Sequence, residues 1–427
     1  MKSLKVGMLG CGTVGSQIAR LLVANKADLT SRAGAQIELV KVAVKDAKVK
    51  RDGVPDSLIT TDANSIVNDP SIDLIIEVIG GISPAKELIL TALKNGKSVV
   101  TANKALLAKD GAELYEAASK ANVDLYYEAA VAGAIPILRP LRESLVGDQV
   151  VRIMGIVNGT TNYILTKMDE SGTAFADALK QAQDLGFAEA DPTADIEGFD
   201  AADKAAILAG LAFHSRVTDK DVYREGISKI TATDVKVAKA MDMVIKLLAI
   251  TELTTAGEIS VRVHPALISR NHPLASVRES YNAVFVEAKS AGQMMFYGRG
   301  AGGEPTASAV LGDLVAIARH KISGGIGPKE SDYASLKIAP IGQTKTKYLI
   351  RLNVADKPGV LESVAHVFAS HGVSIQTVRQ TGAGDKAELI VMTHSSTESA
   401  LSETVKDLSK LPAVTDVASV LRVEGVN

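Results

Sequence analysis

The first fifteen residues set the narrowest limit on what this chain can fold into. Lys5-Val-Gly-Met-Leu-Gly10 is a short apolar strand, and Ser16-Gln-Ile-Ala-Arg-Leu-Leu-Val23 has the spacing of a helix. Between them stands Gly10-Cys-Gly12-Thr-Val-Gly15. A G-x-G-x-x-G turn is weak evidence by itself. Between a strand and a helix at the head of a chain it specifies a parallel α/β unit, because the glycines permit a tight turn and bring a pyrophosphate close to the helix N-terminus. Gly10, Gly12, Thr13, Val14 and Gly15 are thus candidate dinucleotide contacts. Cys11, inside the turn, reads as a small space-filler rather than a nucleophile.

The alternation continues. Apolar strands are expected over residues 37–44, 73–79, 98–101 and 123–128, with helices over 84–93 and 110–121. Near-continuous apolar strands between helices indicate a Rossmann-type doubly wound parallel sheet over residues 1–130. An NAD site normally carries an acid at the end of the second strand. Here Lys45 stands there, with Asp46 next and Lys48, Lys50 and Arg51 following. These cations favour the 2′-phosphate of NADP, and Asp46 keeps NAD open. Lys104 lies at the carboxyl end of a parallel strand, facing the crevice where ligands bind.

Residues 131–322 read as an α+β substrate and oligomerisation domain with an open mixed sheet. A strand over 150–157 meets Asn158-Gly-Thr-Thr-Asn162, a turn capping a helix expected from Tyr163. A helix over 174–185 stops at Gly186, a glycine suited to a helix C-terminus. Strands are expected near 259–263, 283–288 and 293–297. Gly298-Arg-Gly-Ala-Gly-Gly303 then precedes a helix over 306–321, a second helix N-terminus able to close over a cofactor.

The chemistry concentrates in the polar stretch from Ala188 to Lys204. Pro192 disfavours helix at Asp191, and an apolar helix is expected over 201–213. Asp200 sits near its N-terminus, where a carboxylate meets free N–H groups, and Lys204 lies four residues on along the same face. Glu189, Asp195 and Asp200 can converge on one lysine amine, holding a substrate's ammonium while the lysine handles a proton. The acidic run fails the spacing of a calcium hand.

Residues 323–346 are rich in Gly, Pro and polar side chains and read as a linker. Beyond them, residues 347–427 follow a β-α-β-β-α-β pattern. Pro358 is expected near the first position of the module's first helix, and Gly382-Ala-Gly-Asp385 joins its middle strands. Lys+Arg at 47 against Asp+Glu at 49 excludes a broad basic surface for nucleic acid. The longest apolar run, residues 129–138, is far below the ~20 residues of a membrane span. One cysteine and no export signal point to a reducing cytoplasm.

At Gly10–Gly15, Asn103-Lys104-Ala105, Asn158–Asn162 and Glu189-x-Asp-Pro…Asp195…Gly198-x-Asp200-x-x-x-Lys204, residues 1–325 closely resemble the homoserine dehydrogenase family. The last motif is specific in residue types and spacing. The tail resembles an ACT domain, a small-amino-acid sensor. The resemblance implies reversible NAD(P)H-dependent reduction of L-aspartate 4-semialdehyde to L-homoserine, in threonine, methionine and isoleucine biosynthesis. It implies Lys204 as proton donor, with Lys104 as the rival, and Glu189, Asp195 and Asp200 around the substrate. Gly186, Glu189 and Gly302 would contact the cofactor. Glu128 with the carbonyls of Val131, Gly133 and Ile135 would hold a structural sodium ion. Asp356, Gly359 and Ile375 would line an effector site, for threonine, in a homo-oligomer; a tail serving only dimerisation is the alternative. Another semialdehyde or keto-acid reductase on this plan, or a silent amino-acid sensor, are the competing functions.

Overall fold

β1 (Ser3–Leu9) is buried from Val6 onward and ends at Gly10, where φ is +97° and a Cβ would stand 2.7 Å from the Val78 carbonyl oxygen. Only glycine fits there. The computed structural model describes residues 2–51, 53–382 and 387–425. The first layer continues through α1 (Thr13–Ala24), α2 (Lys26–Ala33), β2 (Gln36–Ala43), β3 (Ile59–Thr60), α3 (Asn64–Val67) and β4 (Leu74–Glu77). It closes with α4 (Ala85–Lys94), β5 (Ser98–Thr101), α5 (Lys104–Ala121) and β6 (Leu125–Tyr126). Every neighbouring pair is parallel, in the order β3-β2-β1-β4-β5-β6. The order reverses between β1 and β4, which opens a crevice outside their carboxyl ends. The expected doubly wound sheet is present.

Helix α5 begins six residues earlier than its apolar spacing suggests. Asn103 caps it by accepting a hydrogen bond from Leu106 N (3.2 Å), so Lys104 stands on the first turn at the crevice.

The second layer holds β7 (Val150–Ile156), α6 (Gly159–Ser171), α7 (Phe175–Asp184), α8 (Thr193–Ile196), α9 (Phe199–Phe213), β8 (Tyr223–Arg224) and α10 (Ala232–Ala240). β9 (Met243–Leu253), β10 (Ile259–Ser269), β11 (Tyr281–Ala288), β12 (Gly292–Arg299) and α11 (Gly303–Ser323) follow. Strands β12-β11-β7-β9-β10 pair antiparallel, and β8 runs parallel to β10. Helix α11 returns to the first layer, where Val310, Leu314 and Ile317 share an apolar cluster with Val6, Met8 and Ile18.

The C-terminal module contains β13 (Lys345–Val354), α12 (Val360–Ser370), β14 (Ile375–Thr381), β15 (Ala387–Thr393), β16 (Ser396–Thr397), α13 (Glu398–Leu408) and β17 (Val414–Val423). Pro358 lies before this module's first helix rather than inside it, because Gly359, at φ +90°, takes the cap position. The turn residues Ala383, Gly384 and Asp385, and Lys386 after them, lie outside the described residues. The module is not tethered loosely. β17 pairs with β13 on one side and, through Ala266↔Arg422 and Leu267↔Val423, with β10 on the other, making one 11-stranded sheet. Residues 323–346 are docked too: Glu330 accepts hydrogen bonds from Tyr127 Oη (2.7 Å) and Arg142 Nη2 (2.5 Å).

Buried ions cross the seam. Arg262, 1% exposed, lies between Glu252 (2.7 Å) and Glu424 (3.1 Å), and Glu424 also binds Arg152 (2.7 Å). Removing one member of such a set strands the others' charge without solvent. Glu424→Gln is expected to lower stability by about 3 kcal/mol, read as a denaturant midpoint shift at constant slope. A loss below ~1 kcal/mol, the range of exposed pairs, would contradict the assignment.

Candidate active site

The crevice is framed by backbone. Gly15 allows α1 to start against the turn, since a Cβ there would sit 2.6 Å from Gly10 O. Nothing stands within 4 Å of a Cβ placed on Gly12, which leaves open space above the N-terminus of α1. Neither Gly12 nor Gly302 supplies a side-chain cap, so α1 and α11 both begin with free N–H groups. The two ends are neighbours: a Cβ on Gly303 would lie 3.0 Å from Thr13 O. Buried Glu77, at the end of β4, accepts hydrogen bonds from Ile79 N (2.8 Å), Gly80 N (3.2 Å) and Thr101 Oγ1 (2.6 Å), tying neighbouring strand ends together.

Lys45 is exposed just beyond β2. One oxygen of the Asp46 carboxylate accepts a hydrogen bond from Lys48 N (2.8 Å). Arg51, one of the cations expected there, makes contacts that its position in sequence does not suggest. Its Nε donates to Cys11 O (3.0 Å) and its Nη1 to Asp46 O (3.0 Å), so it bridges the glycine turn and the end of β2. Cys11 is buried.

Two lysines and two carboxylates meet where α5, α6, α8 and α9 converge. The capping turn expected at Asn158–Asn162 is narrower than its sequence suggests: α6 already starts at Gly159, and Asn158 alone caps it by accepting from Thr161 N (2.8 Å). Its amide then donates to Asp195 Oδ1 (2.6 Å) and Asp200 Oδ2 (2.9 Å). Lys204 Nζ donates to Asp200 Oδ2 (2.7 Å) and to Val157 O (2.6 Å). Lys104 Nζ reaches the other oxygen of Asp200 at 3.1 Å.

The electrostatics follow from this packing. Burial works against the charge on Asp200, but Lys204 and Lys104 hold its carboxyl well below the usual carboxylate range. Asp200 in return raises Lys104. Burial pushes Asp195 upward and pushes Asp203, beside them on α9, up to about 6.

Glu189 does not join the cluster. Its side chain is exposed, and its backbone carbonyl accepts from Gln183 Nε2 (3.1 Å). Gly186, at φ +74°, turns the chain after α7 as its position suggests.

Glu128 faces a different set. Its carboxylate accepts hydrogen bonds from Ile137 N (2.6 Å), Leu138 N (2.8 Å) and Arg139 N (2.8 Å). Ala132 and Gly133, at φ +56° and +55°, make the turn carrying Val131 and Ile135. Among the described residues no group of three or more His, Cys, Asp or Glu side chains is placed to hold a metal. Nor is any described helix long and apolar enough to cross a membrane.

In the C-terminal module, Asp356 Oδ1 accepts from Gln380 Nε2 (3.1 Å). Gly359 caps α12, and Ile375 opens β14.

A parallel sheet with a glycine turn at its switch point, facing a lysine–carboxylate cluster, defines an NAD(P)-dependent oxidoreductase. Family comparison narrows this. The family model described as homoserine dehydrogenase matches residues 136–315, its NAD binding domain residues 10–128, and the ACT domain residues 348–413. The chain is 54% identical to the homoserine dehydrogenase of Corynebacterium glutamicum, over 98% of this chain and 95% of the relative. It is 53% identical to that of Mycobacterium tuberculosis, over 99% and 98%. A solved homoserine dehydrogenase from Thiobacillus denitrificans superposes with a TM-score of 0.94 at 40% identity, covering 99% of each chain. A hyperthermophilic archaeal homoserine dehydrogenase in complex with NADPH covers 74% of this chain and 97% of its own, with a TM-score of 0.63 at 27% identity. The chain belongs to the homoserine dehydrogenase family, which interconverts L-aspartate 4-semialdehyde and L-homoserine.

Asn158 offers a direct test of the cluster. Asn158→Asp keeps an acceptor for Thr161 N but sets a third carboxylate against Asp195 and Asp200. Like charges raise the folded-state pKa of one of the three, so stability is retained at low pH and lost as pH rises. The stability deficit relative to the parent is expected to be larger at about pH 7.5 than at about pH 5. An equal deficit at both would show that the three groups do not share a field.

Proposed function

We propose that Lys204 transfers the proton of the reaction and that Lys104 and Asp200 set its charge. The observation that carries this is the Asp200 carboxylate held between the two amines. An ammonium has three N–H donors. Asp200 and Val157 take two of those on Lys204, leaving one for the substrate oxygen. A bound nicotinamide dinucleotide supplies or accepts the hydride. In reduction the Lys204 proton goes to the aldehyde oxygen as that oxygen gains charge, and in oxidation the amine takes the hydroxyl proton back. Asp195, Asp200 and Glu189 bind the amino end of the substrate; the exposed carboxylate of Glu189 is open for that contact. Gly186 approaches the nicotinamide end.

Gly10, Gly12, Thr13, Val14 and Gly15 cradle the pyrophosphate at the N-terminus of α1, with Gly302 at the adjoining helix end. NADP is the favoured cofactor. Lys45 and Arg51 supply cations at the end of β2 while Asp46 is engaged with Lys48 N. The NADPH complex of the archaeal relative agrees with this.

A structural sodium ion fits the turn after Glu128. The carbonyls of Val131, Gly133 and Ile135 accept no hydrogen bond from the described residues, and carbonyl and carboxylate oxygens suit a hard cation. Bound there, sodium would order this turn, away from the chemistry.

The C-terminal module, residues 347–427, is proposed to sense threonine through Asp356, Gly359 and Ile375 in a homo-oligomer, linking the enzyme to threonine, methionine and isoleucine biosynthesis in the cytoplasm. Its sheet continuity with β10 supports regulation over a purely associative role.

Lys204→Met is expected to lower kcat by 10²–10⁴-fold, the range of a lost acid–base group, with dinucleotide affinity by fluorescence titration nearly unchanged. Retained turnover would reject the assignment and turn attention to Lys104. Lys45→Ala is expected to raise KM for NADPH more than for NADH; equal effects in steady-state assays would remove the cofactor preference.

A further inference from the structure

Asp195, bonded to Asn158, and Asp200, bonded to both lysines, stand at the two ends of a short bend, α8 to α9, and the bend is braced from outside the cluster. Arg224, on β8, donates through Nη1 to the Glu197 carbonyl, and its guanidinium carbon lies 3.4 Å from the centroid of the Phe199 ring. Glu197 and Phe199 flank Gly198, which caps α9 at φ +78°. The segment after Arg224 presses on the same bend. Ile227 N donates to Ile196 O (2.7 Å), and a Cβ on Gly226 would overlap Ile196 O and stand 2.6 Å from Glu197 Cα. The brace is fixed at its far side as well. Val263 of β10 pairs with Arg224, Glu225 N donates to Val263 O (2.8 Å), and the Glu225 carboxylate is gripped by both Nη atoms of Arg422 on β17 at 2.9 Å.

We infer that Arg224 is a positioning residue for the reaction: it sets the bend that holds Asp195 against Asn158 and Asp200 against Lys204 and Lys104, without itself touching the reacting atoms. A planar guanidinium suits both tasks, since it donates in its plane and stacks on an aromatic face. Lysine can reproduce the hydrogen bond and not the stack. The bend presents the carboxylates proposed to grip the amino end of homoserine, so the inference rests on that reading of the site. The dinucleotide turn lies on another element and is not braced by Arg224.

Steady-state kinetics on the full chain test this. Arg224→Gln is expected to raise KM for homoserine about tenfold, with KM for the dinucleotide within twofold of the parent. Arg224→Lys is expected to recover part of that rise. Phe199→Leu removes only the ring, at a half-exposed position that poses little risk to folding, and is expected to show the same homoserine-selective effect at smaller size. Unchanged homoserine KM in Arg224→Gln and Phe199→Leu would overturn the inference, as would an equal rise for homoserine and dinucleotide. A homoserine-selective rise with no recovery in Arg224→Lys would place the effect on the stack that lysine lacks, and an unchanged homoserine KM in Phe199→Leu would then overturn the inference. Failure of the carboxylate reading is distinguishable: Asp200→Asn would then leave homoserine KM unchanged, whatever Arg224 does.

Discussion

The site depends on one buried carboxylate shared by two amines. Asp200 is held below its ordinary pKa by Lys204 and Lys104 although burial opposes its charge, so the pair of lysines and the acid stand or fall together. The two lysines come from different layers. Lys104 is presented by the cap that Asn103 makes at the end of β5, and Lys204 by one turn of α9. Asn158 ties Asp195 into the set from α6. Cofactor crevice and substrate cluster therefore meet at a point where two sheets are joined through short polar bonds rather than through packing alone.

The second dependence is structural. The C-terminal module shares a sheet with the catalytic layer, and buried Arg262 and Arg422, with half-buried Arg152, are neutralised by acids from both sides of the seam. β17 is thereby tied to β8 and β10, the elements that back the acidic bend.

Much of this was legible in the residues. Parallel strands buried on both faces read as apolar runs, so the first sheet and its glycine turn were expected where they occur. The Asp200–Lys204 pair followed from helical spacing alone. Contacts without a local signal were not legible. Lys104 meets Asp200 from the far side of the chain, and Arg51 reaches Cys11 O because the loop after β2 folds back. The capping role of the Asn158 turn was legible, but not that α6 starts four residues before Tyr163. β9, buried over most of its length, shows no alternation and escaped notice despite eleven residues. The pairing of β17 with β10 joins strands about 150 residues apart, for which sequence spacing carries no information.

The most direct test of the central claim is a crystal structure of the full chain with homoserine and oxidised dinucleotide bound. The account predicts the homoserine hydroxyl within hydrogen-bond reach of Lys204 Nζ, with Asp200 still bonded to both lysines and the substrate ammonium on the acidic bend. A substrate whose hydroxyl lies away from both amines, or an Asp200 released from them on binding, would contradict it.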